Sequence, residues 1–214
     1  MMILRNPSHT IIIPAGGSVT YISSTSNEGG SDTASIAVPI DAQTDGRLLL
    51  MCIVSTGQGA FTPDGSWTLS KYQPYFFGSR DVRVYQKISN GESGTYDTTV
   101  PFSFWCVTLT VLSTIDTTTP VDASNSSEAF TTSYDTGSFT ISSNGMAIVF
   151  YAGSFNGIDL TLDADLTSRI SIISSNVTPR IYVGTQSISG SQNYISTTAT
   201  NDGYAAIGLA IKPV

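Results

Sequence analysis

Positive charge is scarce in this chain. Its 214 residues carry nine Lys and Arg against 16 Asp and Glu, a net charge of −7, and only three of the cations are lysines: Lys71, Lys87 and Lys212. Nucleic-acid binding draws much of its affinity from cations that displace counterions condensed on phosphate. No nucleic-acid partner is therefore expected, and an acidic surface is likewise repelled by anionic lipid. Long apolar runs are missing too. None approaches the roughly 20 residues of a spanning helix, so no membrane partner is expected. Histidine occurs once, at His9, ahead of the strand-like patterns. A Ser-His-Asp or Cys-His site needs its base held by a rigid scaffold, and a terminal arm supplies none. The carboxylates fall in turn-like contexts rather than inside apolar runs, which argues against a glycosidase pair. Gly57-Gln58-Gly59 has Thr62 where a dinucleotide fingerprint needs its third Gly, and no helical pattern follows. The expectation is a protein that is not an enzyme and holds no cofactor.

Cysteine is nearly absent. Cys52 and Cys106 lie in apolar runs with Trp67 between them, an order that invites an immunoglobulin-like disulfide. Against it, Arg5, Asn6 and Pro7 interrupt any secretory core at the start of the chain. A cytosolic setting is expected, and buried thiols acting as small hydrophobes are favoured over a bond. Acidic clusters are equally thin. Asp159, Asp163 and Asp165 have oxygen-ligand spacing for Ca²⁺, but a polar turn explains them as well, and no metal is assigned.

What the chain does have is hydrophobic residues (40%) broken into short runs by Gly, Ser, Thr and Asn, the texture of many strands joined by polar turns. Two stretches share one grammar. Gly46 opens the apolar run 48–54, and Gly145 opens the apolar run 146–152. Thr68 then matches Thr167, Gly91 matches Gly190, Thr98-Thr99 match Thr197-Thr198, Trp105 matches Tyr204 and Leu112 matches Ile211, all at a shift of 99. Matches at a constant offset read as a duplicated unit. On this offset Cys52 and Cys106 correspond to Tyr151 and Ala205. One mismatch stands out, because Thr108 and Leu109 face Ile207 and Gly208.

Each unit alone has few strands for an independent core, and an apolar run of seven needs cover on both faces. The expected fold is therefore all-β: one antiparallel β-sandwich, jelly-roll-like, built from two related halves. Residues 1–18 form an extended arm and 19–214 the sandwich, with repeat units 33–112 and 137–211 and a polar linker at 114–136. In the strand at 82–88, Val82, Val84 and Ile88 are expected to face in, with Arg83 and Lys87 toward water. Two features stand out as partner-binding candidates. Ile11, Ile12 and Ile13 form an apolar piece of the arm with no counterpart in the repeat, a hazard unless another chain covers it. Tyr72, Tyr75, Phe76 and Phe77 crowd around Pro74, either as a contact surface for a protein or sugar or as a plug over the end of the sandwich.

The residues at 46–54, Gly65-Ser66-Trp67-Thr68-Leu69, Val84-Tyr85-Gln86-Lys87, Gly91-Glu92-Ser93-Gly94-Thr95-Tyr96 and Pro120-Val121-Asp122 resemble the two-repeat β-sandwich domains of tailed-phage virion proteins. The likeness runs on through 205–213. Arg47 stands where an acidic residue is usual, Ser93 where Pro is usual, and 113–116 replaces a Gly-containing turn, which leaves the subtype open. The resemblance implies a non-enzymatic virion component assembled in the host cytoplasm, most simply a capsid decoration or cement protein. Its implied partners are other virion proteins, the major capsid protein or fibre and tail subunits, with a homo-oligomer, a trimer by analogy. The alternative it implies is a carbohydrate- or receptor-binding fibre or tail module with a surface glycan as ligand.

Overall fold

A computed structural model describes residues 17–56, 63, 66–75, 80–153, 160–172 and 180–214. The organising elements are β2 (Leu48–Ser55) and β8 (Met146–Gly153), in which every residue is buried. Unbroken apolar runs of this length leave no face for water, so each strand must sit mid-sheet with packing above and below. In one sheet β2 lies between β4 (Arg80–Ile88) and β5 (Thr95–Ser113), flanked by β3 (Thr68–Tyr75) and β1 (Thr20–Ala37), in the order β1-β5-β2-β4-β3. In the other, β8 lies between β11 (Arg180–Ser187) and β13 (Ile195–Ile211), flanked by β10 (Thr167–Ile172) and β6 (Val121–Asp135), in the order β6-β13-β8-β11-β10. All pairings are antiparallel. The two sheets have the same order, and each is built by one half of the chain.

The expected all-β sandwich of two related halves is what the chain forms, with two differences in detail. The chain crosses between sheets once, through 114–120, instead of threading back and forth as a jelly roll does. The expected linker at 114–136 is mostly a strand, β6, the counterpart of β1. A run of Ser, Thr and Asn reads as a loop, but an edge strand needs only one apolar face and tolerates that composition. The repeat therefore begins at β1 and β6, ahead of residues 33 and 137.

The duplication extends to the irregularities. Bulges between Tyr21 and Ser23 and between Ser31 and Thr33 in β1 recur between Val121 and Ala123 and between Thr131 and Ser133 in β6, 100 residues on. The bulge between Leu69 and Lys71 in β3 recurs between Ser168 and Ile170 in β10, 99 residues on. In the apolar strands the ladder sets the shift at 98. Leu48 pairs with Leu112 and Met146 with Ile211, so the true counterpart of Cys52 is Phe150, not Tyr151. Cys52 and Phe150 both enter the core between the sheets, while Tyr151 faces the opposite way. A one-residue slip in a strand exchanges its faces, which is why a single offset for the whole repeat misassigned this pair.

Three cores result. The first, between the sheets, takes Leu48, Leu50, Cys52 and Val54 from β2 and Met146, Ile148, Phe150 and Ala152 from β8. The alternate residues, Leu49, Met51 and Ile53 on one side and Ala147, Val149 and Tyr151 on the other, point outward into two further cores. Those outward cores are covered because each sheet is curled. The long strands bend at their bulges and carry Ala34, Ile36, Tyr96 and Val100 back over β2, and Tyr134 and Tyr194 over β8. Side chains staple the bent edge strands closed. Thr25 Oγ1 donates to the Ala37 carbonyl (3.1 Å) and Asn27 Nδ2 to that of Ser35 (2.9 Å). In β6 Asn125 Nδ2 donates to the Ser138 carbonyl (2.9 Å) and Ser127 Oγ to that of Asp135.

The Leu109–Gly208 mismatch now has an account. In the second half a short ribbon, β7 (Phe139–Ile141) paired with β12 (Gly190–Gln192), replaces the 3₁₀ turn Ile40–Gln43 of the first. Phe139 lays its ring on Gly208, where an added Cβ would collide with the ring carbons. Leu109 is buried in the outward core of the first half, so a side chain on β5 does there what a side chain from β7 does in the second. Phe139→Ala should accordingly cost about 3–5 kcal/mol in urea unfolding, and adding Gly208→Leu to it should recover part of that loss. Additive losses in the double variant would show that the two positions do not share one space.

Candidate functional site

The sequence-derived candidates are not gathered into one surface. Ile11, Ile12, Ile13, Phe76, Phe77 and Asp159 lie outside the described residues. Tyr72 is 44% exposed, with the Arg83 guanidinium 4.7 Å from its ring centre. Tyr75 is fully buried in the core between the sheets, and burial pushes its phenol well above the ordinary tyrosine range. Three residues apart on a regularly paired stretch of β3, the two face opposite ways, so Tyr75 is a core residue and Tyr72 is the described member of the cluster with an exposed ring.

The acidic triplet acts structurally where it can be seen. Asp163 accepts the Asp165 N–H (3.0 Å) and the Ile195 N–H (2.8 Å), tying the turn before β10 to the start of β13. Both carboxylate oxygens are thus engaged, and among the described residues no group of three potential metal ligands is found. Cys52 and Cys106 are free thiols buried in the core, and burial raises both, which suppresses the reactive thiolate. Arg83 and Lys87 are not simply solvated. Arg83 Nη2 sits 3.0 Å from Asp81 and Lys87 Nζ 2.9 Å from Glu92, each side chain less than a sixth exposed. Both point into the concave side of the first sheet, where the bent strands exclude water.

Three buried charged groups escaped the sequence reading, which placed the carboxylates in turns: Asp81 within β4, and the pair Arg180 and Asp202. At the end of the sandwich where β3 and β10 finish, Arg180 and Asp202 are 1% and 0% exposed. Arg180 Nη2 donates to Asp202 Oδ2 at 2.7 Å, and the Tyr134 hydroxyl donates to the same oxygen. Burial, then the neighbouring carboxylate, pushes the Tyr134 phenol up. Gly153 makes room, since a Cβ there would lie 2.7 Å from Asp202 Oδ2 and 2.9 Å from Arg180 Nη2. By the repeat, Arg180 stands where the first half has Asp81 and Gly153 where it has Ser55. There Ser55 Oγ donates to Asp81 Oδ1 at 3.0 Å, and burial raises the Asp81 carboxyl against the hydrogen bond and charge of Arg83. Matching positions thus hold charges of opposite sign, which is the signal that comparing the halves residue by residue would have given.

Each cluster pairs its charges internally, and Arg180 Nε and Nη1 are buried without a hydrogen-bond partner. Asp202 is committed to a cation and a phenol, and a carboxylate so paired is a poor general base. A second feature is open to solvent. At the opposite end of the sandwich a cleft of about 190 Å³ has Leu48, Ile88 and Pro120 as its apolar floor and Ser66, Thr68, Gln86, Thr117 and Thr118 around them. Asp116 fixes its outer wall by accepting the N–H groups of Thr118 (2.8 Å) and Thr119 (3.1 Å) while pairing with Lys212. The Lys212 hydrogen bond, then those backbone bonds, hold the Asp116 carboxyl below the usual range.

Removing one partner of a buried ion pair leaves the other uncompensated, at about 3–5 kcal/mol. Arg180→Met should therefore lower stability by that order in chemical denaturation, and the double Arg180→Met, Asp202→Asn should lose less than the single variant. An equal or larger loss in the double would show that Arg180 contributes through its packed stem rather than its charge. In comparisons with known proteins, no family, curated protein or solved structure matches this chain.

Proposed function

We propose that this protein is a non-enzymatic structural component of a tailed-phage particle, a decoration or cement protein on the capsid surface, assembled in the host cytoplasm. The observation that carries the reading is the closure of the body. Both long edge strands, β1 and β6, are bent and stapled to themselves by side-chain bonds to carbonyls. Open edges invite strand addition by neighbouring chains, and copies on a particle surface lie side by side at high local density. A body whose two longest edges are closed in this way stays discrete there. Attachment then falls to a segment outside the duplicated body, and residues 1–18, with Ile11, Ile12 and Ile13, are its best candidate in the sequence. Oligomerisation, as a trimer by analogy with the virion proteins the chain resembles, would multiply weak anchors through effective concentration.

The second reading, a carbohydrate- or receptor-binding fibre or tail module, is favoured by the exposed Tyr72 ring with Arg83 beside it, since an aromatic face can stack on a sugar. The two readings separate in one inventory. Mass spectrometry of purified particles should find this chain at a copy number matching the capsid lattice, and a version lacking residues 1–18 should keep its fold but fail to bind particles stripped of it. A copy number of a few per particle, or undiminished binding by the truncated chain, would reject the decoration reading.

A further inference from the structure

The duplication provides an internal control for the cleft. Thr68, Leu69 and Lys71 pair with Gln86, Tyr85 and Val84, and Thr167, Ser168 and Ile170 pair with Thr185, Gly184 and Val183. The bulged residues between them are Ser70 in β3 and Arg169 in β10, so Ser70 corresponds to Arg169 and Gln86 to Thr185. Tyr21 and Val121 likewise correspond, pairing with Leu112 and Ile211 at matching bulges. β10 lies against β1, and β3 against β6, so each bulge faces the opposite sheet's edge strand in the same way.

In the second half this position is filled by the chain itself. Arg169 Nε donates to Thr185 Oγ1 at 2.7 Å, and its guanidinium lies 4.2 Å from the centre of the Tyr21 ring. In the first half the counterparts are short: Ser70 for Arg169 and Val121 for Tyr21. Beside them, lined by their ladder neighbours Thr68 and Gln86, the cleft opens, and two buried polar atoms, Gln86 Oε1 and Ser70 Oγ, have no hydrogen-bond partner. A buried acceptor without a donor is costly, and the twin shows what donor suits the place. Lys87 does not compete for it. It is adjacent to Gln86 on the strand and so points to the other face, where its ammonium is 2.9 Å from Glu92 and 5.4 Å from the centre of the Tyr96 ring.

We propose that the cleft lined by Gln86, Thr68, Thr117 and Thr118 is a receptor for an arginine side chain presented by another protein chain. Its guanidinium donates to Gln86 Oε1, once the amide turns that oxygen from its buried position toward the cleft, as Arg169 donates to Thr185, and its methylene stem lies on Leu48, Ile88 and Pro120. The net charge of −7 favours approach of such a cation. The inference is independent of the virion reading, since any protein partner with an exposed arginine could use the site.

The test uses the full chain labelled with ¹⁵N and titrated with N-acetyl-arginine amide, with N-acetyl-lysine amide and glucose as parallel probes. The arginine probe should give saturable shifts at the Gln86 side-chain amide and the Thr117 and Thr118 amides. The lysine probe should bind about tenfold or more weakly, because an ammonium lacks the planar fork of donors. Gln86→Met should abolish most of the response, and Ser70→Arg should abolish it by filling the cleft as the twin is filled. Arg169→Ser should open the second copy and add shifts around Thr185. Should Ser70→Arg fail to fold, Gln86→Met and Arg169→Ser decide the matter. No saturable response to arginine, equal responses to arginine and lysine, saturation by glucose instead, or an unaltered response in Gln86→Met would each overturn the proposal.

Discussion

The constraint on which the structure depends is that β2 and β8 are apolar on both faces. A strand in an ordinary two-layer sandwich needs one dry face and can leave the other to water. Here eight consecutive residues in each half are buried, so a second layer must be found for each sheet. The opposite sheet supplies one cover. The other comes from the half's own long antiparallel pair, β1 with β5 or β6 with β13, which bends at bulges and lies back across the strand it flanks. The bulges are thus not blemishes in the pairing but the hinges that make the second cover reachable, and their recurrence at matching positions in both halves follows from the same need arising twice.

Bending a strand over itself exposes carbonyls that no ladder partner can meet, and the side chains of Thr25, Asn27, Asn125 and Ser127 meet them. This explains a composition that otherwise looks wrong for a strand. Ser, Thr and Asn are poor choices for packing but good ones for reaching a neighbouring carbonyl, and on an edge they also discourage strand addition. The polar texture of β1 and β6 is therefore a consequence of curling, in the same way that the apolar texture of β2 and β8 is its cause.

That reasoning marks where the sequence was legible. The apolar runs, the turns at Gly91 and Gly190, both with positive φ, and the duplicated all-β sandwich could be read from periodicity and offset. β6 could not, because a strand whose polar side chains serve its own backbone has the composition of a linker. The counterpart of Cys52 was missed because the offset drops by one within the apolar strand, and nothing in a fully apolar run distinguishes one face from the other. Arg180 and Asp202 were missed for a related reason. Arg180 opens β11 and Asp202 follows the irregularity inside β13, and only the fold brings both against Gly153. The aromatic cluster at 72–77 was read as a unit, yet Tyr75 belongs to the core, since β3 continues through Pro74 to Tyr75 and residues three apart on a strand face opposite ways.

Once the halves are aligned by their ladders, their differences become more informative than their likeness. Folding alone would be satisfied by two similar copies, and wherever the copies agree the residues answer to packing. Some departures compensate each other: in the interior Leu109 for Phe139 over Gly208 and Asp81 with Ser55 for Arg180 with Gly153, and on the surface Gly30 opposite the exposed Phe104 for the exposed Phe130 opposite Gly203. These conserve volume or charge pairing, with Arg180 Nε and Nη1 left buried without partners beside the ion pair. The bulge pair is different, because Ser70 and Val121 subtract what Arg169 and Tyr21 provide and nothing in the first half replaces it. An uncompensated subtraction leaves Ser70 Oγ and Gln86 Oε1 buried without partners, the second on a residue that lines a solvent-open cleft. In a duplicated fold, the place where one copy stops filling its own space is therefore the place to look for something that comes from outside.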